Sequence, residues 1–196
     1  MNIPRQLREE ILSRRDRLSP RQIEEKSERI QHRLLEQIEI EHAHTVFTYV
    51  SFRSEVRTAK IIAELLQSGR QVAVPVTRVK EKRLEIVAIT NPDSDLVPGY
   101  CGIPEPRDEC IRDHRLTPGD IDVIILPGSV FDRRCGRFGY GGGYYDRLLA
   151  QIPAAKRIAL AFEMQIVDRL PLQDHDEILD KIISEEQTLS NSLRKR

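Results

Sequence analysis

The stretch "CGRFGYGGGYYDRLL", residues 135–149, holds five of the chain's ten glycines and follows them with two tyrosines and an aspartate. Glycines lack a β-carbon, so their amides can approach a ligand closely and the chain can take φ > 0, which turns successive N–H groups into an anion-binding nest. Gly139, Gly141, Gly142 and Gly143 are the candidates. The tract runs into "YYDRLLAQI", whose spacing suits a short helix with its positive end turned toward the same anion. Phosphate fits that chemistry. Arg137 supplies a fork-shaped phosphate donor, Asp146 a hard carboxylate suited to Mg²⁺, and Tyr140, Tyr144 and Tyr145 flat faces on which a ring can stack.

Two other phosphate motifs do not match. A Walker loop needs GxxxxGK, and this tract has no lysine. A dinucleotide fingerprint wants its glycines directly at a strand-helix turn, whereas "SVFDRRCGRF" intervenes here. A flexible linker would need neither the arginine nor the aromatic flanks. Asp132 and Arg133 in that intervening segment are expected to brace the loop.

The elements that must hold these residues alternate between strands and helices. A helix is predicted from Arg5 to about Leu18. A second is opened by Ser19 as N-cap, Pro20 at the first position and Gln22 at the third, with Ile23, Ile30, Leu34 and Ile38 as its core face. Thr58 to Ser68 reads as another helix, stopped by Gly69. Strand-like runs are "TVFTYVSF", "QVAVPV", "LEIVAI", "IDVIILPG" and "KRIALAF". Such alternation predicts an α/β domain with a mainly parallel sheet and helices on both faces. In such sheets ligands bind just beyond the carboxyl ends of the strands, which is where the glycines follow "IDVIILPG". The proline-rich "PDSDLVPGYCGIPEPRDEC" has no period and reads as an ordered surface loop.

Composition narrows the classes. The 31 lysines and arginines balance the 31 aspartates and glutamates, so no net field draws the chain to nucleic acid or an anionic membrane. The charge run "SRRDR" reads as a solvated helix face. Three cysteines at irregular spacing make neither a disulfide framework nor a zinc site, and a reducing cytoplasm is expected. No apolar run reaches the roughly 18 residues of a membrane span. The five histidines show no metal spacing.

Beyond these readings, "LPGSVFDRRCGRFGYGGGYYDRLL" resembles the signature of the 5-formyltetrahydrofolate cyclo-ligase family, also called methenyltetrahydrofolate synthetases. The likeness extends to "RQLREEILSRRDRLSP", "YVSFRSEVRT", "GIPEP" and "ALAFEMQIVDRLPLQDHDEILDKII", in the family's order. It implies a single three-layer α/β/α domain over residues 1–190, with a mainly parallel, mixed central sheet. Residues 1–40 would form a helical segment packed on it, and 191–196 a tail. It implies an ATP-dependent enzyme that converts 5-formyltetrahydrofolate to 5,10-methenyltetrahydrofolate, releasing ADP and phosphate.

The resemblance also implies residue roles. ATP would lie on Arg5 and Arg8 and along Arg137, Phe138, Gly139, Tyr140, Gly141, Gly142, Gly143, Tyr144 and Tyr145. The folate would lie on Val50, Glu55, Tyr140, Gly141, Gly142, Gly143 and Tyr144, and Mg²⁺ on Asp146 and Asp176. Arg137 and Tyr144 would serve the chemistry, and the enzyme would be a cytoplasmic monomer with small-molecule partners alone. The chain departs from the family pattern at Pro4, commonly a lysine, at Cys101, an aromatic in some members, and at Cys135 and Gly136, where glycine usually comes first. The last change predicts a shifted turn before Arg137. A module of the same fold that binds nucleotide and folate without turnover is the alternative reading.

Overall fold

The computed structural model describes residues 3–172 and 177–191. Its centre is an eight-stranded sheet of β1 (Thr45–Thr48), β2 (Gln71–Arg78), β3 (Arg83–Ile89), β4 (Arg115–Leu116), β5 (Val123–Leu126), β6 (Lys156–Leu160), β7 (Lys181–Ile183) and β8 (Thr188–Ser190). The strands lie in the order β8-β7-β6-β5-β1-β2-β3-β4. From β7 to β2 every pair is parallel, and β8, β3 and β4 join antiparallel at the edges. The expected mixed, mainly parallel sheet is present.

The middle strands are buried on both faces, which is why β5 reads as an unbroken apolar run and why β1 is buried throughout, its two threonines included. Alternate side chains feed two cores. Val46, Val72, Ile125 and Ile158 point to one side, under α2 (Pro20–Leu35) and α3 (Ala59–Gln67). Phe47, Ala73, Ile124 and Ala159 point to the other, where Leu148 and Leu149 of a later short helix cover them. A fourth helix, α1 (Ile3–Arg15), packs Leu7 and Ile11 on Val130 and Phe138, beside the sheet's carboxyl end.

Ser19 and Gln22 form the expected capping box, each side chain accepting from the other's amide, at 3.2 and 2.9 Å. Two helix boundaries differ from expectation. α1 ends at Arg15, because the amides of Arg17 and Leu18 turn to carbonyls three residues back and tighten the last turn. α2 ends at Leu35, and Gln37 is extended, so the helical phase is lost before Ile38. Ile38 is therefore 61% exposed rather than part of the core face, and Ile40 is the buried residue instead. Gly69 stops α3 at φ 78°, as its position predicts.

The segment read as an ordered surface loop carries short elements. A helical turn spans Pro92–Asp95, Leu96–Pro98 pairs antiparallel with Pro104–Pro106, and Asp108–Asp113 is helical. Strands of three residues leave no readable period.

Candidate active site

Beyond the carboxyl end of β5 the chain makes a small second sheet, in which Val130–Asp132 pairs with both Ile166–Val167 and Arg137–Phe138. Asp132 organises the turn between its strands. Its fully buried carboxylate accepts from the amides of Arg134 (2.9 Å), Gly136 (2.8 Å) and Leu170 (2.9 Å), and from the Arg134 guanidinium (2.9 Å). Burial alone would raise this carboxyl; the hydrogen bonds outweigh burial and hold it below the ordinary aspartate range. Bracing by Asp132 was expected, but its partner is Arg134. Arg133 instead reaches the exposed Asp168 at 3.4 Å. Cys135 takes φ 65° in this turn, and burial pushes its thiol up to about 12.

The turn delivers Arg137 and then the glycine tract. Ser129 Oγ donates to the carbonyls of Phe138 (2.9 Å) and Gly139 (3.1 Å), fixing the start of the tract to the strand behind it. Gly141 (φ 98°) and Gly143 (φ 63°) take the left-handed conformations that L side chains avoid; Gly139 and Gly142 do not. Gly143 is the left-handed N-cap of α4 (Tyr144–Leu149), whose first turn holds Asp146.

Arg137 is buried and extends along the cleft wall. Nη1 donates to the Pro127 carbonyl at 3.3 Å, Nη2 to Asp146 Oδ1 at 2.6 Å, and the guanidinium lies 5.8 Å over the Tyr145 ring. Its Nε is buried without a partner. Tyr144 turns its ring to the same cleft, with the Arg147 guanidinium 5.5 Å over it.

The opposite wall is built from the end of β1 and the loop after it. Tyr49 is buried, its hydroxyl donating to the Val56 carbonyl at 3.0 Å, which shapes the loop. Glu55 Oε2 accepts from the Phe52 amide (2.9 Å), and Oε1 from the Tyr140 hydroxyl (2.6 Å). Burial raises the Glu55 carboxyl above its ordinary range, against the hydrogen bonds from Tyr140 and Phe52 and the charges of Arg15 and Arg57. Burial also pushes the Tyr140 and Tyr145 hydroxyls well above an ordinary phenol, so both remain proton donors at neutral pH.

These walls enclose a cleft of about 500 Å³, floored by Pro75 and Thr77 of β2 and Leu84 of β3, and flanked by Tyr100 and Ile103. Of the residues singled out from the sequence, Val50, Glu55, Arg137, Gly139, Tyr140, Gly142, Gly143, Tyr144, Tyr145 and Asp146 border it. Arg5, Arg8, Phe138 and Gly141 do not. Arg8 lies 4.7 Å over the Phe138 ring, behind the tract, with its Nε buried and unpartnered. Arg5 is exposed and pairs with Glu9 at 2.8 Å. Asp176 lies outside the described residues.

Sequence reasoning missed Arg15. It was read within a solvated charge run, yet it is buried in the cleft wall. Its helical phase carried the signal, since Arg8, Leu12 and Arg15 are spaced i, i+4, i+7 on one face of α1. Tyr100 was missed too. It stands beside Cys101, which takes φ 56°, and returns an aromatic ring to the cleft where Cys101 lacks one.

An arginine-bearing, glycine-bordered cleft at the carboxyl ends of parallel strands defines an α/β enzyme for anionic small molecules. The model of the 5-formyltetrahydrofolate cyclo-ligase family matches residues 1–185. The 5-formyltetrahydrofolate cyclo-ligase of Escherichia coli K12 is 31% identical over 89% of this chain and 96% of its own. The mouse 5-formyltetrahydrofolate cyclo-ligase is 27% identical over 95% of each. The NMR structure of Aquifex aeolicus 5,10-methenyltetrahydrofolate synthetase superposes with a TM-score of 0.85 at 27% identity, covering 99% of this chain and 95% of the other. The chain belongs to the 5-formyltetrahydrofolate cyclo-ligase family, and it is a ligase of folate one-carbon metabolism. Membership implies small-molecule substrates, with ATP as co-substrate. No described helix is long and apolar enough to cross a membrane.

Proposed function

We propose that this cleft closes the ring of 5-formyltetrahydrofolate to 5,10-methenyltetrahydrofolate at the expense of ATP, releasing ADP and phosphate. The observation that carries this reading is the single cleft bordered at once by Arg137 with Asp146 and by Glu55 with Tyr140. A phosphate-binding pair and a pterin-binding pair there would bring the reacting atoms within near-attack range.

The formyl group on N5 is an amide, so its carbonyl is a poor electrophile and its oxygen a poor leaving group. Transfer of the γ-phosphoryl to that oxygen remedies both faults, forming an iminium phosphate and releasing ADP. N10 of the same folate attacks the activated carbon and loses its proton; phosphate then leaves with the original formyl oxygen. The work left to the protein is alignment and charge stabilisation. Arg137, with its unpartnered Nε, and the amides of the tract are suited to hold the transferring oxygens. Tyr144 flanks the same oxygens, and Glu55 accepts hydrogen bonds from the pterin's amino and N–H groups.

Mg²⁺ is assigned to the same site as part of the nucleotide substrate. Among the described residues no group of three or more His, Cys, Asp or Glu could hold a metal. Asp146, with its side chain 33% exposed in the cleft wall, fits a cation shared with phosphate oxygens, since Mg²⁺ commonly takes only one or two carboxylates. Bound there, the ion would neutralise charge on the triphosphate. Three free cysteines suit a reducing cytoplasm. Among the described residues the exposed large apolar side chains are five, of which Tyr100 and Tyr140 border the cleft, and a monomer is the reading adopted.

The test is to mix purified protein with 5-formyltetrahydrofolate and Mg·ATP and follow the methenyl chromophore. ATP-dependent product supports the assignment. Binding of both compounds without product would leave only a binding module, and no binding would reject the site.

A further inference from the structure

One charged group in the cleft wall has no part in that scheme. Arg15, the last residue of α1, is only 5% exposed. Nε donates to Ser54 Oγ at 3.0 Å and Nη1 to the Tyr140 hydroxyl at 2.9 Å, while the guanidinium lies 5.8 Å over the Tyr140 ring. Ser54 is itself fixed, donating to the Asp16 carboxylate.

A guanidinium can only donate. The Tyr140 oxygen must therefore accept from Arg15, and its one proton is free for another acceptor. Two are in reach: Glu55 Oε1 at 2.6 Å and the Gly128 carbonyl at 3.5 Å. The Gly128 carbonyl already accepts from Gln165 at 3.0 Å. The proton goes to Glu55. With Phe52 donating to the second oxygen, each carboxylate oxygen is held by one donor and keeps a lone pair for a ligand.

We infer that Arg15 is a positioning residue of the folate pocket, setting the direction of the Arg15 to Tyr140 to Glu55 relay so that Glu55 meets the pterin as a prealigned, two-oxygen acceptor. This rests on the assignment of the Glu55 end of the cleft to folate. The relay also ties three separate segments together: α1, the loop carrying Ser54 and Glu55, and the tip of the glycine tract. Tyr140 is 50% exposed, so without this tie little would order it before the ligand arrives.

The test is equilibrium binding of 5-formyltetrahydrofolate and, separately, of Mg·ATP, to the wild type, Arg15→Met, Arg15→Lys, Tyr140→Phe and the Arg15→Met/Tyr140→Phe double variant. Arg15→Met is expected to weaken folate binding about tenfold or more, as loss of a charged hydrogen bond does, while ATP affinity stays within about twofold. The double variant should bind no more weakly than the poorer single variant, because both act through one relay.

A pH profile provides a second readout. The groups facing Glu55 are Arg15 from α1, Arg57 from its own loop, Tyr49 from the end of β1, and Tyr140 and Tyr145 from the tract and α4. The tyrosines stay neutral and Arg15 holds the Glu55 carboxyl down, so removing Arg15 should move the acid limb of folate binding to higher pH. Arg15→Lys and Tyr140→Phe nearly preserve volume and carry the comparison if Arg15→Met does not fold. Wild-type folate affinity in Arg15→Met or Tyr140→Phe, folate binding in Arg15→Lys no tighter than in Arg15→Met although its ammonium can still donate, additive losses in the double variant, or equal losses for both ligands in Arg15→Met would overturn the inference. A wild type that binds no 5-formyltetrahydrofolate would instead overturn the assignment of the pocket.

Discussion

Arg137 Nη2 lies 2.6 Å from Asp146 Oδ1, so the proposed phosphate donor and the proposed metal carboxylate are each other's partner. On the proposed assignment, loading Mg·ATP would exchange this one ion pair for two, arginine to phosphate and carboxylate to cation. The pair is graded in burial, with Arg137 enclosed and Asp146 partly open, so the carboxylate is the end a cation would meet first. Asp146→Asn is accordingly expected to weaken ATP binding in the presence of Mg²⁺ and to remove most of the difference between titrations with Mg²⁺ and with EDTA. Unchanged Mg²⁺ dependence in that variant would refute the role.

Arg137→Met keeps the aliphatic packing of the buried side chain and deletes its donors. Loss of one such donor typically lowers turnover by about 10² to 10³, so kcat should fall on that scale. The KM for folate should move little. Steady-state assays of the methenyl product provide both numbers.

Glu55→Gln should weaken 5-formyltetrahydrofolate binding by about tenfold and leave ATP binding intact, because the amide loses one acceptor oxygen. The wild-type carboxyl is raised by burial, so folate affinity should decline as pH falls through a value above the ordinary glutamate range, and the Gln variant should lack that limb. The stability contribution has the opposite sense. A raised carboxyl contributes stability that is present below the unfolded pKa and is lost as pH rises through the folded one. Titration calorimetry across pH tests the binding limb.

Asp132→Asn leaves five converging donors facing an amide that can accept at only one atom, at an expected cost of about 2–3 kcal/mol in urea unfolding. Its lowered pKa sets the sign for the wild type: the contribution is complete above the unfolded aspartate pKa and is lost as pH falls through the folded value. Acid titration of the wild type and the Asn variant should therefore converge.

Gly141→Ala isolates a backbone effect. A β-carbon there meets no atom within 4 Å, so only the conformation at φ 98° resists it, by about 1–2 kcal/mol. Turnover should drop more than stability does, since the tract would shift to relieve the strain. Equal effects on both would separate the tract from the chemistry.

The sequence made the sheet legible because a strand buried on both faces is mostly apolar, and Val123–Leu126 is wholly so. It made the tract legible because five glycines with a following aspartate are hard to explain as solvent-facing loop. Arg15 was hidden for a physical reason. Charge runs on helices are ordinarily solvated, and only the tertiary placement of Ser54 and Tyr140 supplies the partners that make its burial affordable. Ile38 shows the converse. Periodicity carried the helix past Leu35, but the extended Gln37 rotates everything after it. Arg8 had the right chemistry by type, yet the packing of α1 set it against Phe138 rather than in the cleft.

The placement of α1 has a practical consequence. α1 supplies none of the eight central strands, so their pairing would be untouched by removing it. Such a shortened protein would retain its sheet while exposing Val130, Phe138 and Leu170 and losing one side of the ligand chamber. The amino-terminal helix is a structural partition between solvent and chemistry, and truncation or insertion within Ile3–Arg15 would breach it.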